Sequence, residues 1–329
     1  MLWKRARSMS VVLGALGTFL AHQAAAQSTP TLAYPSKPIR MLVASSAGSN
    51  PDTVGRVFAS GLGQMLGQQV IVDNRAGAGG NIGAEIAARA APDGYTLFLA
   101  HTNHSINTAL YRKLTYNILG DFAHVTLVAT SAFVAVVHPS VPAKSLADLV
   151  NLAKTRAGGI NYASAGTGSG TYFAAEYFNG MSNVKMVHVP YTGGGPALAS
   201  ILAGETSVYF TPLATGLSHI RSGKLRALGV TAKTRLRELP DVPPIADTLP
   251  GYEVLSWAGL MLPAKTPKPL VATVHKAAVS TLAKPDVAKR LEEMGFVVLT
   301  SSGEELRDYV KTETGKYAKL IRDVGMPLQ

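Results

Sequence analysis

The chain has 329 residues, 47% hydrophobic and 16% charged, with a formal net charge of +11 and no cysteine. That length and apolar content supply a large core and favour two domains over one, while the missing cysteines exclude a disulfide framework and a lipid-attachment site. The positive charges Arg221, Lys224, Arg226, Lys233, Arg235 and Arg237 are scattered without interleaved aromatics. They argue against nucleic acid and for solubility with a mild pull on anions.

Lys4, Arg5 and Arg7 precede the apolar run Val11 to Ala21, and Ala24-Ala25-Ala26-Gln27 follows as a small-residue cleavage site. This is the layout of a secretory signal peptide cleaved near Ala26, and the run is too short to span a bilayer. Removing the three basic residues takes the charge from +11 to 11 − 3 = +8. The mature protein is expected in the periplasm.

Residues 39–44 read as a buried strand, leading into the polar loop Ser45-Ser-Ala-Gly-Ser-Asn-Pro-Asp52. A helix is expected over 53–66, where Val54, Val57, Phe58, Leu62 and Leu66 share a face. Strand 70–73, helix 83–91 and strand 96–100 follow, and this alternation implies a parallel, doubly wound sheet. Ligands bind beyond the carboxyl ends of such strands, at Ser45–Asp52 and in a loop at His101–Ser105. Residues 122–137 form a β-rich run longer than one typical strand and are expected to cross between domains. A second series has helix 145–154, strands 160–163, 186–189 and 207–210, helix 195–203, and a return crossing at 225–230. The remainder reads as connecting loop and helices. Ser301 with Glu304 is expected to cap the last helix, and Gly325 with Pro327 to mark its end.

Asn161-Tyr-Ala-Ser-Ala-Gly-Thr-Gly-Ser-Gly-Thr171 is read as a strand, a loop of glycine and hydroxyl residues, and a helix start. The helix directs free N–H groups and a positive dipole end into the loop, which suits a carboxylate. An ordinary turn capped by Ser169 or Thr171 fits equally well. Gly77 to Gly83 and Gly166 to Thr171 both lack the third glycine of a dinucleotide site, and neither ends as a phosphate-binding loop does. Ser164 and Ser169 lack the flanking glycines of a nucleophile elbow. His101 and His104 have metal-like spacing without a third ligand. No catalytic residue, metal or cofactor is expected.

Several blocks match a known family in order: Tyr34-Pro-Ser-Lys-Pro-Ile-Arg40, residues 73–83 (Asp73 to Gly83), Pro92-Asp-Gly-Tyr-Thr96, and residues 161–169 (Asn161 to Ser169). Val189-Pro-Tyr-Thr-Gly-Gly-Gly-Pro-Ala197, Gly223-Lys-Leu-Arg-Ala-Leu-Gly-Val230 and Leu239-Pro-Asp-Val-Pro243 continue the match. The chain resembles the Bug (TctC-like) family, the extracytoplasmic solute receptors of tripartite tricarboxylate transporters. The resemblance implies an α/β, two-domain periplasmic-binding-protein (Venus flytrap) fold with mostly parallel sheets. Domain 1 would comprise 27–126 and 231–329, and domain 2 residues 127–230. It implies a non-enzymatic, monomeric protein that captures a small organic carboxylate and delivers it to the transporter's membrane subunits.

By the same resemblance the first ligand loop includes Ser45, Ser46, Ala47, Gly48 and Asp52, and the loop after the third strand Thr102 and Asn103. Ser164, Ala165, Gly166, Gly168 and Ser169 match the carboxylate-facing loop. Tyr191, Thr192, Gly193 and Thr211 complete the rim. Ser45-Ser46-Ala47 departs from the family's usual proline and paired glycines. Tyr172 stands where histidine is frequent, and Ser200 and Thr211 where aspartate often occurs. With those two positions neutral, Asp52 is the main acid near the rim, placed as a helix N-cap, and acids without an amine are favoured, whether aromatic, aliphatic or di- and tricarboxylic. Tyr172, Tyr191 and Trp257 are candidates to stack on a ring, although aromatics at such spacing more often belong to the core. A secreted serine hydrolase, for which the sequence offers no base, and a signalling receptor stand as alternatives.

Overall fold

Strand and helix alternate because each apolar run is ended by a loop carrying glycine or hydroxyl residues. The computed structural model describes residues 34–155, 159–323 and 325–329, so the signal-peptide expectation lies outside the described residues. The first series is β1 (Ile39–Val43), α1 (Asn50–Leu66), β2 (Val70–Asn74), α2 (Asn81–Ala88), β3 (Thr96–His101) and α3 (Thr102–Leu110). The long β4 (Phe122–Val137) precedes α4 (Leu146–Thr155), β5 (Asn161–Ser164), α5 (Gly170–Ser182), β6 (Val187–Pro190) and α6 (Gly194–Leu202). After these come β7 (Val208–Pro212), α7 (Leu213–Arg221), β8 (Arg226–Val230) and β9 (Leu255–Pro263). The chain closes with α8 (Lys268–Leu282), α9 (Pro285–Glu293), β10 (Val297–Val298) and α10 (Gly303–Asp323). No helix among the described residues is long and apolar enough to cross a membrane.

The sheet runs β2-β1-β3-β9-β4-β7-β5-β6, with β8 and β10 also paired to β4. At one end β1 lies parallel between β2 and β3, and at the other β5 lies parallel between β6 and β7. These strands are short apolar runs whose connections return over a helix, as parallel pairing requires. β4 and β9 join the two ends and run antiparallel to their neighbours. β4 changes partners midway: 122–132 pair with β9, and 133–137 with β7 and β8. At roughly 3.3 Å per residue it is a rod about 50 Å long.

One core gathers Phe133, Phe173, Phe178 and Phe210 with Tyr252, Tyr317 and Ile321, and another gathers Leu42, Phe98, Trp257, Leu306 and Val310. α10 therefore serves both, through Leu306 and Val310 at its start and Tyr317 and Ile321 at its end. Tyr252 stacks on Tyr177 at 5.0 Å, and its hydroxyl donates to the Ala174 carbonyl at 2.7 Å. Residues 245–254 and the end of α10 thus pack against α5, although the sequence reading gives them to the first domain.

The structure corrects five local expectations. His101–Ser105 is not a loop, since α3 starts at Thr102. Residues 255–263 form a strand where only loop and helix were expected. β8 lies against the far end of β4, so β9 is the strand that shares the crossing. Helix α1 starts at Asn50 after the N-cap Ser49, with proline in its first turn, which moves Asp52 from the cap to the third helical position. The last helix is capped by Ser302 and Glu305, in bonds of 2.7 and 3.1 Å. The Ser301 hydroxyl instead accepts the Leu127 N–H at 2.9 Å.

Candidate functional site

The parallel strands β1, β3, β5, β6 and β7 end toward one cleft, and the helix after each begins there. The cleft, partly open to solvent, is lined by Ser49 and Asn50 at the start of α1 and by Thr102 and Asn103 at the start of α3. Ser169, Gly170 and Thr171 line it at the start of α5, Gly194 at the start of α6, and Pro212, which caps α7. Five helix N-termini thus turn positive dipole ends to one space, although the Gly170 and Tyr172 N–H groups are taken by Asn103 and Ser169 and the first turns of α1 and α6 each hold a proline with no N–H. The crossing strands contribute Ala129, Phe133, Ser256, Trp257 and Ala258, and Tyr209 and Phe296 close the remainder.

Hydrogen bonds tie these stretches together. Asn103 accepts the Gly170 N–H at 2.9 Å and donates to the Gly79 carbonyl at 3.1 Å, linking the two ends of the sheet. Asn50 donates to the Ser256 hydroxyl at 3.0 Å, and the Trp257 N–H donates to the Thr102 hydroxyl at 2.7 Å.

Among the described residues, no Asp, Glu, Lys or Arg lines the cleft. His101 does, but burial pushes its pKa down to about 4, so its imidazole is neutral at pH 7. His104 is held well below its ordinary value by burial and by His101, whose ring lies 4.4 Å away. The His101 N–H donates to His104 Nδ1 at 3.0 Å, so the pair is committed to the start of α3.

Of the residues expected to bind, Ser45, Thr102, Asn103, Ala165 and Ser169 line the cleft. Ser46, Gly166, Tyr191, Thr192 and Gly193 line an adjoining hollow that shares Ser45, Asn103 and Ala165 with it. Ala47 and Gly48 lie on neither lining. Gly168 faces Asn107 rather than the cleft. Thr211 is fully buried, and its hydroxyl contacts the Pro212 carbonyl and Thr215. The Ser200 hydroxyl donates to the Ala197 carbonyl and contacts Thr206, so neither residue faces the ligand space. The crossing-strand residues and Phe296 join the site with no local sequence signal.

Ser164 contradicts the statement that a serine here lacks a base. Its Oγ lies 2.6 Å from His188 Nε2 and accepts the Gly166 N–H at 3.1 Å. His188 packs against the rings of Tyr162 and Tyr172 at 5.0 and 4.7 Å, and burial lowers its pKa to about 4. A neutral imidazole accepting the serine proton leaves the Ser164 oxygen free to receive Gly166. Because Ser164 is fully buried and off the cleft lining, the pair braces the glycine loop without presenting a nucleophile.

Asp52 is likewise spent on structure. It is 2% exposed and accepts from Arg56 Nε at 2.9 Å, Gly48 N at 2.8 Å and Asn74 Nδ2 at 3.0 Å. Burial raises its pKa, but those bonds outweigh it and hold the carboxyl below the ordinary value. A depressed carboxyl stabilises the fold above its unfolded pKa, and that contribution is lost as pH falls through the folded value. Asp52→Asn is expected to lower the unfolding free energy by about 1–3 kcal/mol at pH 7. The difference should shrink as pH falls below the ordinary carboxylate range. A urea series repeated across pH checks both, and a difference that does not change with pH would assign the loss to packing.

The tripartite tricarboxylate transporter family receptors match residues 54–326 of this chain. The chain belongs to this TctC family. A curated relative, the "UPF0065 protein in tcbD-tcbE intergenic region" of Pseudomonas sp. strain P51, is 35% identical, over 88% of this chain and 87% of its own. The solved periplasmic binding protein BugD superposes with a TM-score of 0.86 at 31% identity, covering 90% of this chain and 100% of its own. MatC from Rhodopseudomonas palustris, solved with bound malate, gives 0.84 at 30% identity over 88% of this chain and 100% of its own. The α/β fold is therefore that of TctC and Bug binding proteins, and this TctC receptor is a solute-binding protein. Five helix starts around an uncharged cleft are compatible with that role, because helix N-termini are able to accommodate an anion.

Proposed function

We propose that the protein captures a small organic carboxylate in the cleft and delivers it to the membrane subunits of a tripartite tricarboxylate-type transporter. The carrying observation is the convergence of five helix N-termini on a cavity lined by no ionised side chain. A carboxylate there gains charge-assisted bonds of about 1.5–3 kcal/mol each without the reorganisation a lysine or arginine entails. Malate bound to the related MatC supports the ligand class. The protein works in the periplasm as a monomer, after loss of the segment ending near Ala26, and carries out no chemistry on its ligand. Its two lobes, 27–126 with 231–329 and 127–230, close on the ligand around β4 and β9.

A thermal-shift screen of organic acids tests this reading. A true ligand at a hundred times its dissociation constant should add about 2.7 kcal/mol to the native state. The corresponding amides and alcohols should add nothing measurable. Equal stabilisation by an acid and its amide would remove the carboxylate from the proposal.

A further inference from the structure

Given that the two ends of the sheet close on a ligand, as proposed above, we infer that Ser46 is a brake on that closure and that Gly193 lets the two ends meet over it. Both residues then serve the movement rather than contact with the ligand. Ser46 follows β1, whereas Gly193 caps α6 at the other end of the sheet. A Cβ on Gly193 would fall inside the Ser46 hydroxyl and only 2.9 Å from the Ser46 Cβ. Gly193 has φ 163°, extended backbone that any residue adopts, so its own conformation does not demand glycine. The neighbour does.

Each of the two loops is held by its own end. The Ser46 carbonyl accepts the Ser49 N–H at 3.2 Å in the turn before α1. The Tyr191 N–H donates to the Ser164 carbonyl at 3.0 Å, and the Gly193 carbonyl accepts the Ala197 N–H at 3.3 Å. The Ser46 hydroxyl is shut off from solvent and has no hydrogen-bond partner among the described residues. When the ends part, water can reach that hydroxyl. Closing strips the water away and supplies nothing in exchange, so an unfavourable step is built into closure.

Nearby contacts pull the other way. Asn103 Oδ1 accepts the Gly170 N–H across the seam between the ends at 2.9 Å. Gly79 comes equally close to the far side, with the Thr167 carbonyl 3.1 Å from where a Cβ would lie. Asn103 therefore fastens the seam and Ser46 opposes it, which leaves a small balance for a bound ligand to tip.

Amide exchange in the ligand-free mature protein tests this, because the Gly170 N–H is bonded across the seam and exchanges when the ends part. Ser46→Ala removes the unpaired hydroxyl and should slow Gly170 exchange about fivefold or more. Gly193→Ala should speed it at least about tenfold by overpacking the seam, and adding Ser46→Gly should remove that acceleration. The amides of Val134 and Val136, fully buried in β4, should keep their rates in every variant, which separates parting of the ends from a general loss of stability. Unchanged or faster Gly170 exchange in Ser46→Ala would overturn the inference, even if Gly193→Ala did not fold. An acceleration in Gly193→Ala that Ser46→Gly leaves in place would overturn it too. No acid is present in these measurements, so their outcome is separate from that of the thermal-shift screen.

Discussion

Gly168→Val is expected to weaken binding of the carboxylate ligand about 10- to 100-fold while the protein still folds. Gly168 has φ +79°, a region that β-branched residues avoid. A Cβ there would lie 2.5 Å from Asn107 Oδ1 and 3.1 Å from the Tyr111 ring. Asn107 cannot easily yield, because its Nδ2 donates to the Gly79 carbonyl at 3.1 Å and to Asn81 Oδ1 at 2.8 Å. Backbone strain of this kind costs about 1–3 kcal/mol, and each 1.4 kcal/mol is about tenfold in affinity. The strain falls on the loop that carries Ala165 and Ser169 to the cleft. With Gly168 placed on a carboxylate-facing loop, as the resemblance implies, a valine there would be expected to fill the ligand's space. The structure replaces that cause with a collision against α3. Calorimetry with a bound acid, paired with a circular-dichroism melt, measures the effect. Unchanged affinity would mean that the seating of this loop on α3 is not needed for binding.

Trp257→Ala should lower the unfolding free energy by about 3–5 kcal/mol. The side chain is 2% exposed and packs in the core with Leu42, Phe98 and Leu306, edge-on to Tyr309 at 6.1 Å. It also lies where the crossing strands meet the cleft, with its backbone bonded to Thr102. Little can collapse into the space, because the backbones of β3 and β4 flank β9 on both sides. Urea denaturation at fixed pH gives the number directly. A loss under about 1 kcal/mol would show that the surrounding side chains refill the site.

The repeated units were readable in the sequence because their signals are local. Residues 39–43, 70–74 and 96–101 are short strand runs; the loop after the first supplies Ser45 to the cleft, and the helix start after the third supplies Thr102 and Asn103. β9 was not readable. It follows a proline-rich stretch, carries Ser256 and Gly259, and takes its partners from far away, Trp257 opposite Thr130 and Leu260 opposite Leu99. No local pattern reports such a pairing. Most of the apolar lining of the cleft was unreadable for the same reason, since β4 and β9 supply much of it; Trp257 alone was singled out, as a candidate to stack on a ring.

Ambiguity of frame accounts for the smaller misses. Ser301 and Ser302 each have a glutamate three residues on, and the choice between them was made by Leu127, which takes the Ser301 hydroxyl. Asp52 looked like a cap because it follows proline. Arg56 and Asn74 hold it inside the first turn instead, and Asn74 lies on a different strand. The neutral residues Ser200 and Thr211 carried the expectation of an amine-free ligand. Both are turned into the protein and so give that expectation no support.

The placement of β9 between β3 and β4 sets the order in which the protein can assemble as it leaves the ribosome. β1, β2 and β3 emerge first, yet β3 stays an open edge until residues 255–263 arrive some hundred and fifty positions later. The end built on β5, β6 and β7 draws all its strands from residues 122–230, so its sheet can close earlier. What is synthesised first is therefore finished last, and an exposed strand edge in the waiting chain invites pairing with other chains. A nascent chain with this topology gains from being kept unfolded until its last third is available.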